Sequence, residues 1–416
     1  MIFASVVSGF GLTDFLWVSG LCALAALVLL WPRSQRTQRV QCIVFIAIGL
    51  MCLAFAWIRG HGEIPIRQLL TQNHLLISLL CAVSFLRLIT DTRAASGKTP
   101  KTGENAFLQT ISGLHFFSSV INLSALIIFG DALSRNQKLG RTTATSLQRG
   151  FSLAALWSPF FAAMGTCLLY APGTRLPDLW KLSIPLCIFG LVFTLAEHRF
   201  RSTGGLGTFE GYPVNFRALW VPSLMVVCVL GANSIFPEVS VLVLVSALSV
   251  LVTATVIAAR ESLSQAIATV RNFSYRRLPD MYGELILFFS TGIMATGISA
   301  LVAVTQPALN VVGFTPGIAI SLLAILLFLA VVGVHAIVSI VAASAIVAPL
   351  NPEPAVLALI FLVSWSVGAT GGPISGLNLA MQSRYGVTMR QCFTWNLRYT
   401  LSMFVGTSVI LLITLG

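Results

Sequence analysis

The sequence predicts an all-α polytopic membrane protein, and three observations predict it. Hydrophobic residues fill 56% of the 416 positions, and charged residues only 9%, where an average soluble domain carries about 25% charge. The few charges punctuate long apolar runs. Lys and Arg, at 25, outnumber Asp and Glu, at 13, so their placement should report orientation. Together these exclude a soluble enzyme and a disordered chain. They also exclude a nucleic-acid binder, whose basic residues cluster on one wet, folded face.

A helix that crosses a bilayer needs about 20 mainly apolar residues. Simple spans read at 12–32, 39–58, 74–90, 182–197, 217–235, 238–259, 284–304 and 394–415. Four further segments are less plain. Residues 107–133 carry His115, Ser118, Ser119, Asn122 and Ser124, and residues 150–171 are broken by Trp157-Ser158-Pro159. Residues 316–349 are too long for one untilted span and too short for two. Residues 355–382 contain the helix-hostile run from Gly368 to Pro373.

Charge placement decides how these cross. If every segment spanned, the basic loops 134–149 and 198–216 would be external, against the tendency of short cytoplasmic loops to carry Lys and Arg. If 107–133 and 316–349 are re-entrant hairpins, and both termini lie outside, the internal stretches become 33–39, 87–106, 134–149, 199–217, 260–283 and 384–398. They hold 21 of the 25 basic residues. The outside keeps Arg59, Arg67, Arg175 and Lys181.

The expectation is about ten transmembrane helices plus two re-entrant hairpins, in a bacterial cytoplasmic (inner) membrane. An N-terminal repeat, 1–205, and a C-terminal repeat, 206–416, each read span, span, span, hairpin, broken span, span. Five crossings per half invert the second half, and inverted repeats with discontinuous helices mark secondary transporters. Weak internal similarity falls in the same places. Setting His115 over His335 aligns Gly113 with Gly333, Ser119 with Ser339 and Ser124 with Ser344, and Trp157-Ser158 matches Trp365-Ser366.

The breaks nominate the site. An unwound helix at membrane depth is tolerated only inside protein or against a cavity. Ser158 suits an N-cap and Pro159 a first helical position. The second break starts a half-helix near Gly372-Pro373, with Ser375, Gly376 and Asn378 close behind. Two opposed helix amino ends with hydroxyl and amide donors would hold an anion. Carbonyls freed between Trp365 and Gly372, around Ser366, Gly371 and Gly372, would be natural sodium ligands, since hard cations prefer oxygen, while Thr370 would join Ser158, Ser375 and Asn378 in binding the substrate. The alternative is a proline kink with Ser bonded to its own helix. The predicted hairpin tips, Ser118 to Ser124 and Ser339 to Ser344, would add Ser119, Asn122, Ser124, Ser339 and Ser344 to substrate binding, or else to helix packing. His115 and His335 read either as proton-coupling groups or as satisfied core imidazoles.

The remaining features are quieter. Seven of the eight cysteines lie in apolar segments without C-x-x-C spacing, as small apolar residues do. The N-terminus has no basic stretch before its first apolar run, unlike a signal peptide. Asp131, Glu197, Glu238 and Glu284 all fall near span ends, which argues against an antiporter built on a buried Asp pair. Trp31, Trp57, Trp180 and Trp220 read as interfacial anchors, and 260–283 as a basic segment lying on the membrane surface. No HExxH, GxSxG or Walker A motif occurs. No cofactor is expected beyond sodium or protons as coupling ion.

The plan of three spans, hairpin, broken span and span, repeated inverted, resembles the ion transporter superfamily. That group includes divalent-anion/sodium symporters, the large membrane subunit of tripartite (TRAP) carboxylate transporters, and arsenite and citrate carriers. Its symporters carry Ser-Asn-Thr at each hairpin tip. The matching stretches here read Ser119-Val-Ile-Asn122-Leu-Ser124 and Ser339-Ile-Val-Ala-Ala-Ser344. The resemblance implies a homodimeric elevator carrying a small anion, with room for an accessory binding subunit. The competing functions are a translocase of a lipid-linked anion such as a polyprenyl phosphate, and a membrane-embedded acyltransferase using His335.

Overall fold

The computed structural model describes residues 1–59, 65–90, 101–135, 138–201, 206–212, 214, 220–305, 313–373 and 375–416. The expected basic stretches 87–106 and 199–217, and the start of the expected span 217–235, fall partly outside them. The described residues are mainly helical: α1 (Ile2–Gly9), α2 (Leu16–Leu30), α3 (Arg36–Ile58), α4 (Ile66–Thr71), α5 (His74–Ser84), α6 (Glu104–Ile121), α7 (Leu123–Leu133), α8 (Arg141–Ala154), α9 (Ala162–Tyr170), α10 (Leu176–Arg201). There follow α11 (Trp220–Ile235), α12 (Val241–Arg260), α13 (Leu263–Arg276), α14 (Tyr282–Thr305), α15 (Pro316–Val332), α16 (Ala336–Val347), α17 (Pro354–Gly371), α18 (Gly376–Tyr385) and α19 (Met389–Leu415).

Eight helical segments among the described residues are long and apolar enough to cross a bilayer, so the chain is an integral membrane protein. The expected spans 150–171 and 217–235 are not among the eight. The first is divided into α8 and α9, and the described part of the second, α11, has 16 residues.

The helices gather into two compact units, each drawing on both halves of the chain. The first comprises Met1–Ile89, Met225–Val311 and Val341–Leu350. Its main contact is α3 against α14, and small residues permit it: a Cβ on Gly49 would lie 2.6 Å from the Ile293 carbonyl oxygen. Packing in lipid rewards such close backbone approach. A buried serine trio holds α1, a helix the span reading missed, against α2 and α5. Ser5 Oγ lies 2.9 Å from Ser19 Oγ and 2.8 Å from Ser78 Oγ. Asn73 Nδ2 donates to the Phe288 carbonyl at 2.7 Å.

The second unit comprises Thr90–Leu224, Val312–Ile340 and Asn351–Gly416. Its centre is α17, buried along nearly its whole length and packed on α8, α9, α10, α15 and α19. Its amino end explains its start: Glu353 caps it by accepting from Ala355 N and Val356 N, and Pro354 occupies the first turn.

Candidate functional site

Four interruptions of helix lie in the second unit. The first separates α6 from α7 at Asn122, whose φ of +50° and ψ of −134° lie outside the helical region; Asn tolerates positive φ better than most residues. This falls within the expected tip from Ser118 to Ser124. The second separates α15 from α16. Here Gly333 adopts φ +99°, and Val334 N donates back to the Leu329 carbonyl, a Schellman closure. That stop precedes the expected tip at Ser339 to Ser344, because Gly333 ends α15 before the serines are reached. Ser339 is instead buried within α16, and Ser344 belongs to the first unit.

The third interruption divides α8 from α9 over residues 155–161. Proline disfavours helix in the residue before it, and Trp157-Ser158-Pro159 acts accordingly. Ser158, however, is not the cap of the new helix. α9 begins three residues later, at Ala162, with Phe161 at the cap position and no side-chain cap bond. Ser158 Oγ donates to the Ser119 carbonyl and accepts from Phe160 N at 3.2 Å. Asn122 Nδ2 donates to the Phe160 carbonyl at 3.2 Å, so the turn between α6 and α7 is tied to the α8–α9 break twice. Trp180 donates to the Trp157 carbonyl at 2.8 Å.

The fourth interruption, between α17 and α18, is where carbonyls between Trp365 and Gly372 were expected to be freed. The helix runs on to Gly371 and resumes at Gly376, and the chain's own side chains take the carbonyls. Ser375 caps α18 through Asn378 N at 3.1 Å and donates to the Ala369 carbonyl at 2.6 Å. Asn378 Nδ2 donates to the Thr370 carbonyl at 3.1 Å and the Gly372 carbonyl at 2.7 Å. Only glycine fits at 372, since a Cβ there would lie 2.7 Å from the Ala330 carbonyl oxygen of α15. Thr370 Oγ1 donates to the Val367 carbonyl at 2.8 Å, and Ser366 Oγ to the Ser152 carbonyl of α8 at 2.7 Å. Thus both broken helices touch where each is buried.

The two histidines sit beside the two matching tryptophans. Trp157 Nε1, which can only donate, lies 2.9 Å from His115 Nε2. Nε2 must then accept, which leaves the proton on Nδ1 to reach the Gly150 carbonyl at 3.1 Å. His115 is therefore a satisfied neutral imidazole. His335 lies edge-on to Trp365, ring centroids 5.5 Å apart, and its Nδ1 accepts from Ile337 N. Ser119 Oγ is bonded to the Phe116 carbonyl, and Ser124 is half-buried at the start of α7.

Sequence reasoning missed the charged part of this site. Helix α8 starts at Arg141, not Gly150, so Gln148 and Arg149 are not loop residues; both are buried. Gln148 Nε2 donates to Asn378 Oδ1 at 2.5 Å, and Asn396 Nδ2 donates to Gln148 Oε1 at 2.9 Å. Arg149 donates to Asn396 Oδ1 at 2.9 Å, to Glu197 Oε2 at 2.6 Å and to the Trp395 carbonyl at 3.1 Å. Its guanidinium also stacks over Tyr399, 4.8 Å from the ring centroid. One unbroken hydrogen-bond chain therefore runs from the α17–α18 break to Glu197 on α10. The available signal was Gln148-Arg149 directly before an apolar run, a poor place for a loop to end.

Several buried hydroxyl groups around the breaks are left for something else. Ser118 on α6, Thr166 on α9, Ser339 on α16 and Thr400 on α19 have no hydrogen-bond partner among the described residues. No group of three or more His, Cys, Asp or Glu able to hold a metal ion occurs among those residues.

No protein-family profile and no curated protein matches this sequence. Among solved structures, the crystal structure of the YdaH transporter of Alcanivorax borkumensis, described as having an unusual topology, is similar in fold. The two agree with a TM-score of 0.51 at 12% identity, over 90% of this chain and 98% of that one.

Proposed function

We propose that the protein is a secondary active transporter that carries a small anion, an organic carboxylate or a related species, across a bacterial cytoplasmic membrane. The observation that carries this reading is the meeting of two interrupted helices inside one compact unit that also holds buried hydroxyl groups without partners. A buried, unpartnered polar group costs about 1–3 kcal/mol, a cost that a bound substrate or cation would relieve. The amino end of α9, which has no side-chain cap, supports an anion as the cargo, because its free N–H groups and helix dipole favour negative charge. The hydroxyl oxygens of Ser118, Thr166 and Thr400, unpartnered among the described residues, support sodium as the coupling ion. A proton is the alternative, with His335 as its carrier rather than the fully bonded His115.

The fold shared with a transporter supports the same reading. Four interruptions gathered in the second unit, against one among the described residues of the first, at Gln72-Asn73 between α4 and α5, support an elevator in which the α6–α7 and α15–α16 turns are the hairpin tips. A homodimer, an accessory binding subunit and termini facing outward complete the proposal. Translocation of a lipid-linked phosphate would call for uncompensated positive charge in the site, and the buried Arg149 is neutralised by Glu197.

The test is flux into proteoliposomes across mono-, di- and tricarboxylates, sulfonates and oxyanions, under sodium, proton or no gradient. Gradient-driven uptake of at least one anion, above protein-free vesicles, is the expected result. Folded protein that moves none of them, but flips a fluorescent lipid-linked phosphate, would overturn it.

A further inference from the structure

The charged chain from the helix break ends at a second feature, a groove between α10 and α19. Its cavity of about 450 Å³ is lined by Phe193, Glu197, Phe200, Arg201, Arg398 and Leu401, among others. The apolar part of the lining continues the outer, apolar faces of both helices: Phe200 is 80% exposed and Leu401 56%. The polar part is unusual for such a face. Arg149 and Glu197 cancel each other, so Arg201 and Arg398 give the groove a net positive charge. Neither is joined to a carboxylate by an ion pair among the described residues. Glu197, with its side chain only 7% exposed, uses one oxygen on Arg149, while Oε1 is buried and has no hydrogen-bond partner there.

We propose that this groove binds an anionic phospholipid whose headgroup carries a free hydroxyl, of the phosphatidylglycerol kind. Each part of that ligand answers one part of the groove. A phosphodiester takes the two guanidinium groups, which suit phosphate geometry. A carboxylate oxygen can only accept, so Glu197 Oε1 calls for a donor, and a glycerol hydroxyl is one. An acyl chain takes Phe193, Phe200 and Leu401. Free inorganic phosphate fits less well, because it leaves the apolar wall uncovered and sets negative charge against Oε1. The site is separate from the helix breaks, and the proposal stands whether or not the transported anion is as argued above.

The experiment is native mass spectrometry of the full-length protein in detergent, titrated with phosphatidylglycerol and with phosphatidylcholine of the same chains. Phosphatidylglycerol should bind at least about tenfold more tightly, a difference of about 1.4 kcal/mol. The double variant Arg201→Ala/Arg398→Ala should bring it to the phosphatidylcholine level. Both arginines are exposed, so the variant should keep the wild-type thermal midpoint without lipid and lose only the upward shift that phosphatidylglycerol confers. The control Arg175→Ala/Lys181→Ala removes equal charge at the other end of α10 and should change neither readout. Equal binding of the two lipids, undiminished binding by the double variant, an equal loss in the control, or displacement by inorganic phosphate would each overturn the proposal.

Discussion

Arg149 on α8 and Glu197 on α10 form an ion pair of 2.6 Å with side chains 0% and 7% exposed. Such a pair adds little to stability when intact, because desolvation offsets attraction, yet breaking it strands a charge. Arg149→Ala or Glu197→Leu alone should therefore cost about 3–5 kcal/mol, seen as a large fall in the thermal midpoint in detergent. Arg149→Met combined with Glu197→Leu should recover part of that loss. A double variant no better than the worse single one would show that the pair is not the coupled unit described.

The α17–α18 break depends on Asn378 more than on Ser375. Asn378→Ala strands two carbonyls and the Gln148 amide, at about 1–3 kcal/mol for each group that water does not reach. Ser375→Ala removes an N-cap, worth about 1 kcal/mol. Stability measured on the two variants should fall further for Asn378→Ala. Equal or reversed losses would contradict the bonding described for this break.

Packing in the first unit rests on backbone approach between α3 and α14. A Cβ on Gly297 would run into the Gly49 carbonyl, so Gly297→Ala must push the helices apart. Overpacking of this kind costs about 1–3 kcal/mol. Ala at Gly231 of α11, where a Cβ meets nothing within 4 Å, should cost far less in the same unfolding assay.

Much of the architecture was legible because lipid imposes simple rules. The apolar runs located α2, α3, α10, α12, α14 and α19, and the proline and glycine clusters located both broken helices. What hydropathy could not locate was a helix that begins in polar sequence. Residues 141–149 contain Thr, Ser, Gln and Arg, and their order comes from partners far away in the chain. Arg149 meets Glu197, 48 positions on, and Asn396, 247 positions on. The same blindness misplaced the carbonyls near Gly372. Spacing showed that a break would free them, but not that Asn378 would fold back to take them. The second turn was misplaced because serines were read as its tip, whereas a left-handed Gly333 sets it.

The claim that the breaks of the second unit form the transport site is tested most directly by the buried hydroxyl groups of Ser118 and Thr166. Neither has a partner among the described residues, so Ser118→Ala and Thr166→Val should leave the thermal midpoint unchanged or slightly raised. With an anion found in the flux panel, the decisive measurement is the initial uptake rate of these two variants against wild type, at equal folded protein. A fall of at least about tenfold, equivalent to about 1.4 kcal/mol, is expected in one or both. Wild-type rates in both would contradict it.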